Sequence, residues 1–211
     1  MAIVHDTTMR PTKLELLTRW LPTRPWYVGE RTPVLAKAGG FRVDDPAGAV
    51  GIEFLVLIDS SAAEPATYHV PMTYRGEPLE GADFALIGTS EHGVLGTRWL
   101  YDATRDPVFL EQAVRLLAAV AVPQDQNVSN KADPSVQVRV LELGSPAAGF
   151  DAAAVTDTDL YTEIVLETGR LLIHRRLGIG GVADAPGQAR VRWWTLEGLS
   201  ADDVFLSAVP S

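Results

Sequence analysis

Val50-Gly51-Ile52-Glu53-Phe54-Leu55-Val56-Leu57-Ile58-Asp59 is the stretch that decides the fold. It is almost continuously apolar and rich in valine and isoleucine, which reads as a β-strand. Further strand patterns lie on both sides of it. Thr67–Tyr74 alternates less cleanly, and Pro71 inside it predicts an edge or a bulge. Phe84–Ile87 and Val94–Tyr101 are shorter candidates. Val136-Gln137-Val138-Arg139-Val140 alternates strictly, as a half-exposed strand does. Glu163–Leu166 and Leu171–Leu177 flank Glu167-Thr168-Gly169-Arg170, a hairpin signature. Ala189–Leu196 is a late strand. Gly144–Thr158 and Gly178–Gly187 read as loops, and Ser200-Ala201-Asp202-Asp203 as the cap of a short final turn.

Helical patterns are few. Leu14, Leu17 and Leu21 recur at helical spacing within Pro11–Leu21, with Thr12 as N-cap and Glu15 three residues on as its capping-box partner. Pro22 and Pro25 stop this helix. The longer helix is predicted over Asp106–Val122. Asp106 is a good N-cap, Pro107 suits the first helical position, and Pro123 ends it. Phe109, Ala113, Leu117 and Val120 lie near one face.

Strands outnumber helices and the βαβ alternation of a parallel sheet is missing. The expected fold is α+β, a curved antiparallel sheet packed on a long helix, followed by a second antiparallel sheet. The polar stretch Gln124–Pro134 is the best internal boundary. It divides the chain into residues 1–123 and 124–211.

Of the 211 residues, 46% are hydrophobic and 21% charged, which is ordinary globular usage. There is no cysteine, so disulfides, thiolate metal sites and cysteine nucleophiles are excluded. Met1–Arg10 lacks the layout of a signal peptide, and the longest apolar run, Leu116–Pro123, is far below a membrane span. A cytoplasmic location is expected, with no membrane partner. The formal net charge of −9 disfavours nucleic acid.

The four histidines form no metal-binding pair in sequence, and no metal or cofactor is expected. His69 and His174 fall in strand patterns as ordinary residues. Ser90, His92 and Asp102 would supply the residue types of a triad, but no nucleophile elbow surrounds Ser90. A polar turn at Glu91-His92 is the simpler account. Gly178-Ile179-Gly180-Gly181 lacks the Lys-Ser/Thr ending of a phosphate loop. Aromatic residues are the better ligand-binding candidates, because their faces stack on sugar rings. Trp26, Tyr27, Trp99, Trp193 and Trp194 are singled out. Adjacent strand residues point to opposite sides, so one of Trp193 and Trp194 faces the core and the other faces outward.

Arg24-Pro25-Trp26-Tyr27-Val28-Gly29, preceded by the helix ending in Trp20-Leu21, resembles the opening of bacterial maltokinases. Tyr68-His69-Val70-Pro71-Met72-Thr73-Tyr74-Arg75-Gly76 is similar to a strand of that family's cap, which recurs in trehalose synthase–maltokinase fusions. Ala85-Leu86-Ile87-Gly88 and Trp99-Leu100-Tyr101-Asp102-Ala103 extend the likeness, strongest over Leu14–Leu117. The resemblance implies a cystatin-like cap. Val136–Leu177 is weakly similar to the next subdomain, a degenerate kinase N-lobe. There the family carries a phosphate-binding lysine ahead of two arginines.

The departures set the functional expectation. Thr156-Asp157-Thr158-Asp159 puts carboxylates where the family has a Ser/Asn-rich turn. Counted back from Arg175-Arg176, the lysine position falls at Leu172. The sequence ends at Ser211, before any catalytic lobe. Phosphoryl transfer needs positioning, metal charge and a cationic clamp. The expectation is therefore a non-catalytic binding or regulatory module associated with enzymes of α-glucan or trehalose metabolism. A stand-alone maltooligosaccharide-binding domain is the alternative. A glucan-processing enzyme is the weakest reading, since no carboxylate pair stands out among Glu91, Asp102 and Glu142. The cap's apolar faces must be covered, either by the other half of the chain or by forming a homodimer.

Overall fold

A computed structural model describes residues 9–128, 130–141, 155–166, 169–179 and 185–210. The chain begins with β1 (Met9–Arg10) and α1 (Lys13–Trp20). β2 (Leu35–Asp44), β3 (Gly51–Asp59), β4 (Ala66–Arg75), β5 (Leu86–His92) and β6 (Gly96–Asp102) follow, then α2 (Pro107–Leu117). The remainder is β7 (Val136–Arg139), β8 (Val155–Asp157), β9 (Tyr161–Leu166), β10 (Gly169–His174), β11 (Arg176–Leu177), β12 (Gly187–Trp194) and β13 (Ser200–Pro210).

All pairings are antiparallel, in the order β1-β5-β6-β4-β3-β2-β12-β13-β10-β9-β8. β7 pairs with β12, and β11 pairs with β4. The expected second sheet is therefore part of one connected sheet, joined through Gly39 opposite Trp193 and through β11 on β4.

The apolar run from Val50 to Asp59 contains β3, and burial on both faces explains its composition. Ile52, Phe54, Val56 and Ile58 belong to a core shared with α2, β10, β12 and β13. Leu55 and Leu57 face the other way, onto Leu17, Trp20 and Trp26. Four phenylalanines knit the larger core. Phe41 stacks on Phe54 at 4.4 Å, Phe205 meets Phe41 at 5.2 Å, and Phe109 of α2 meets Phe54 at 5.2 Å. Burying each such ring contributes about 1.5–3 kcal/mol.

α1 starts as its sequence predicts. The Glu15 N–H donates to Thr12 Oγ1, and the Thr12 N–H donates to the Glu15 carboxylate at 2.7 Å. α2 also starts at Asp106, which caps the Val108 N–H at 3.0 Å. Its end differs from expectation. The helix stops at Leu117, five residues before Val122, so it is short rather than long. Ala119 takes a left-handed φ of 55°. Its N–H bonds the Leu116 carbonyl, and that of Val120 bonds the Arg115 carbonyl at 2.8 Å, a Schellman closure. Glycine favours that position, and an alanine there gives no stop signal in the sequence.

Other differences have equally local causes. Pro71 lies inside β4, opposite Phe54, rather than on an edge. The N–H of His69, two residues earlier, bonds Arg175 on the side away from β3. Pro71 therefore lacks its donor toward the gap between β11, which pairs at Thr67 and Tyr68, and β6, which pairs from Met72 onward. Phe84 sits in a 3-10 turn, Asp83–Ala85, ahead of β5. Ser200–Asp203 opens β13, the longest strand among the described residues, instead of capping a turn. Strand β2 carries Gly39-Gly40 and reads poorly as a strand, yet it pairs with β3 along its length. Residues 142–154, 167–168 and 180–184 lie outside the described residues, so Glu142 and parts of the predicted hairpin and glycine-rich loop do too.

Candidate functional site

The five aromatic candidates fall in different surroundings. Trp26 is fully buried, edge-on to Trp20 at 5.8 Å. Tyr27 is half-buried and its hydroxyl donates to Asp59 Oδ2 at 3.1 Å. Burial and the neighbouring Asp59 charge push that phenol up to about 12. Trp99 is half-buried against a small cluster with Ala82, Ala85 and Tyr101. Trp193 is in the main core at 3% exposure, whereas Trp194 is 59% exposed. The alternation expected for the pair is present, with Trp194 the outward member.

Trp194 lines a cleft of about 590 Å³. The cleft lies where the sheet forks. Along one side of β12, residues 188–191 pair with β7 and Trp193 pairs with β2. Residues 125–127 and 133–135 form the wall between them. β2 grips its base through backbone bonds in both directions between Arg42 and Gln124, at 2.9 and 2.7 Å. Arg42 Nε also donates to the Asp125 carbonyl at 3.1 Å. Lys37, Gln126, Asn127, Ser135 and Arg192 join Trp194 in the lining. None of these five was singled out from the sequence. The signal available was the shared face of Arg192 and Trp194, two apart in a strand.

The cleft floor touches a buried carboxylate. Gln126 Nε2 donates to Glu53 Oε1 at 3.3 Å, and Lys13 Nζ donates to Oε2 at 2.6 Å. The Tyr74 hydroxyl also donates to Oε2. Burial alone would raise the Glu53 carboxyl, but the Lys13 ammonium, the Tyr74 hydroxyl and Lys37 together hold it below the usual range. Gly40 makes room for the Gln126 amide. A Cβ there would lie 2.4 Å from Gln126 Nε2 and 2.1 Å from the Phe54 carbonyl oxygen.

A second polar cluster is closed to solvent. The Arg175 side chain is fully buried between β10 and β11. It donates to both Asp102 oxygens, at 2.6 and 2.8 Å, and to Thr162 Oγ1 at 2.7 Å. Its guanidinium carbon lies 4.9 Å from the Trp26 ring centroid. Leu172, at the position the resemblance gives to a lysine, is 8% exposed and opposite Ser207 of β13. Asp157 meets Arg105 at 3.7 Å.

Ser90, His92 and Asp102 do not bond one another. Ser90 Oγ donates to the Pro11 carbonyl at 2.7 Å, His92 Nδ1 accepts from the Leu95 N–H at 3.1 Å, and Asp102 binds Arg175. Glu91 accepts from Thr97 Oγ1 at 2.7 Å. His69 and His174 are core residues. His69 Nδ1–H donates to the His174 carbonyl at 2.9 Å, and His174 Nε2 meets Ser207 Oγ at 2.7 Å.

Residues 20–106 match the family described as the maltokinase N-terminal cap domain. The cap match covers β2 to β6 and ends on Asp106, the cap of α2. Fewer than half of the 211 residues are included. No curated protein matches the chain. The cap stretch supplies Lys37 to the cleft and Asp102 to the buried cluster, while Arg192, Trp194 and Arg175 come from beyond it. Both polar features therefore lie on the seam between the cap match and the rest of the chain. No helix among the described residues is long and apolar enough to cross a membrane.

Proposed function

We propose that the chain is a maltokinase-cap-like module that binds or regulates rather than catalyses, working beside enzymes of α-glucan or trehalose metabolism. The observation that carries the binding part is the cleft at the fork, with an exposed indole above converging amides and cations. The non-catalytic part is supported by the fate of the cations that the kinase likeness would need. Leu172 is buried at the lysine position, and the neighbouring Arg175 is committed to Asp102 inside the fold. Incubation with maltose, ATP and magnesium is expected to yield no maltose 1-phosphate. Robust product that co-purifies with the chain and is lost on its removal would overturn this reading. Co-purification from native lysate with an α-glucan or trehalose enzyme tests the pathway.

A second reading, a maltooligosaccharide-binding domain, is favoured by Trp194 alone among the aromatic candidates. Tryptophan fluorescence should respond to maltooligosaccharides in the native chain and not in Trp194→Ala. A flat native response up to millimolar sugar removes this reading.

A further inference from the structure

The cleft lining carries two cations, Lys37 and Arg192, and two carboxylates, Asp125 and Asp133, and these do not pair with one another. Its two carboxylates are turned into their own loop. Asp125 Oδ1 accepts the Asn127 and Val128 N–H groups, at 2.8 and 3.1 Å, and Oδ2 faces Lys131 Nζ at 3.3 Å. Those backbone bonds, aided by Lys131, hold Asp125 below the usual carboxylate range. Asp133 Oδ1 accepts the Ser135 N–H at 2.8 Å.

The cations are treated differently. Asp202 lies directly across the strand pair from Arg192, the natural place for a partner. Arg190 takes it instead, through Nε at 2.9 Å and a terminal nitrogen at 2.6 Å. Lys37 is on the cleft side of β2, where the nearby Glu53 is already held by Lys13. Among the described residues, neither Lys37 nor Arg192 makes a side-chain hydrogen bond or ion pair. The lining lowers the Lys37 ammonium by desolvation, although its side chain as a whole is exposed. An arriving anion would relieve that cost.

The rest of the lining narrows the ligand. Trp194 offers one indole face, and Gln126, Asn127 and Ser135 offer amides and a hydroxyl. One stacking face beside several hydrogen-bonding groups suits a polyhydroxylated ring, which can lay one face on the indole and offer its hydroxyls to the amides. A volume of about 590 Å³ accommodates one or two sugar rings. The net charge of −9 disfavours polyanions.

We propose that this cleft binds a phosphorylated or carboxylated sugar. The Trp194 indole lies against one ring face, and the Lys37 and Arg192 heads meet the anionic group. The proposal rests on the reading of the chain as a binding module and names its ligand class.

Calorimetric titration of the full chain tests it, with glucose 1-phosphate, glucuronate, glucose, inorganic phosphate and AMP at matched ionic strength. At least one of the two anionic sugars should bind about tenfold or more tighter than glucose, inorganic phosphate and AMP. Preference for glucose 1-phosphate over glucuronate assigns phosphate, and the reverse assigns carboxylate. Lys37→Met and Arg192→Met should each remove most of that margin while leaving glucose unchanged. Trp194→Ala should weaken the anionic sugars and leave inorganic phosphate unchanged. Equal binding of glucose and both anionic sugars overturns the proposal. So does inorganic phosphate binding as tightly as the sugar phosphate, AMP binding tighter than either, or indifference to both cation substitutions. Failure of these titrations with no phosphoryl transfer removes the ligand class alone. Transfer to maltose alongside the expected titrations removes only the non-catalytic reading.

Discussion

Arg175 and Arg192 both belong to the second half of the chain and both sit on its seam with the cap stretch, yet their charges meet opposite fates. Arg175 is sealed in, with both oxygens of Asp102 and the Thr162 hydroxyl around it. Arg192 stands at an open cleft, and the carboxylate across from it is bound to Arg190. A buried cation without a partner costs several kcal/mol, so the sealed one must be matched. A solvated cation costs little, so the open one is free to wait for a ligand. The same seam thus holds the fold together at one place and leaves unspent charge at another.

The largest effect should come from breaking the sealed side. Asp102→Ala leaves Arg175 buried and unpaired, and is expected to cost about 3–5 kcal/mol in denaturant unfolding. Adding Arg175→Met should recover part of that loss, because no buried charge then stands alone. A double variant no more stable than Asp102→Ala would mean the Asp102 hydrogen bonds to Thr104, not the ion pair, carry the effect.

Next comes a pH effect from the histidines between the halves. Burial pushes His69 down to about 3, and burial also lowers His174. Below the ordinary value of 6.5 the unfolded chain takes up protons that the folded chain refuses. Stability is therefore fully present above that value and is lost as pH falls toward about 3. Each such group contributes a slope of about 1.4 kcal/mol per pH unit. His69→Phe keeps a ring against Phe54 and should make the slope between pH 6 and 4 shallower by about one proton. An unchanged slope would exclude His69 as its source.

A smaller gain is expected at the end of α2. Ala119→Gly relieves the left-handed alanine and should stabilise the chain by about 0.5–1 kcal/mol. Smallest of all should be the cleft substitutions. Lys37→Met and Arg192→Met remove exposed side chains and should change unfolding by no more than about 0.5 kcal/mol.

Much of this was legible before the structure, where local chemistry decided the outcome. The Thr12–Glu15 box, the Asp106 cap and β3 all follow from neighbouring residues. So does the opposite facing of Trp193 and Trp194. Most of what escaped depended on distant partners. Pro71 is tolerated because two strands stop on either side of it. Gly39-Gly40 belongs to a strand because β3 and Trp193 pair there. The end of α2 was missed because alanine carries no stop signal. The candidate site was half visible: Trp194 was named, but Lys37, Gln126 and Arg192 reach it only through a fork between β2 and β7 that no spacing along the chain announces.

The most direct test of the two-sided seam is the urea midpoint of the Lys37→Met/Arg192→Met chain beside the native one, with and without saturating glucose 1-phosphate or glucuronate. The account predicts midpoints without sugar that differ by no more than about 1 kcal/mol in stability, and a shift to higher urea with the preferred sugar in the native chain only. A double variant weakened by clearly more than that without sugar, or shifted by sugar as far as the native chain, would contradict the account.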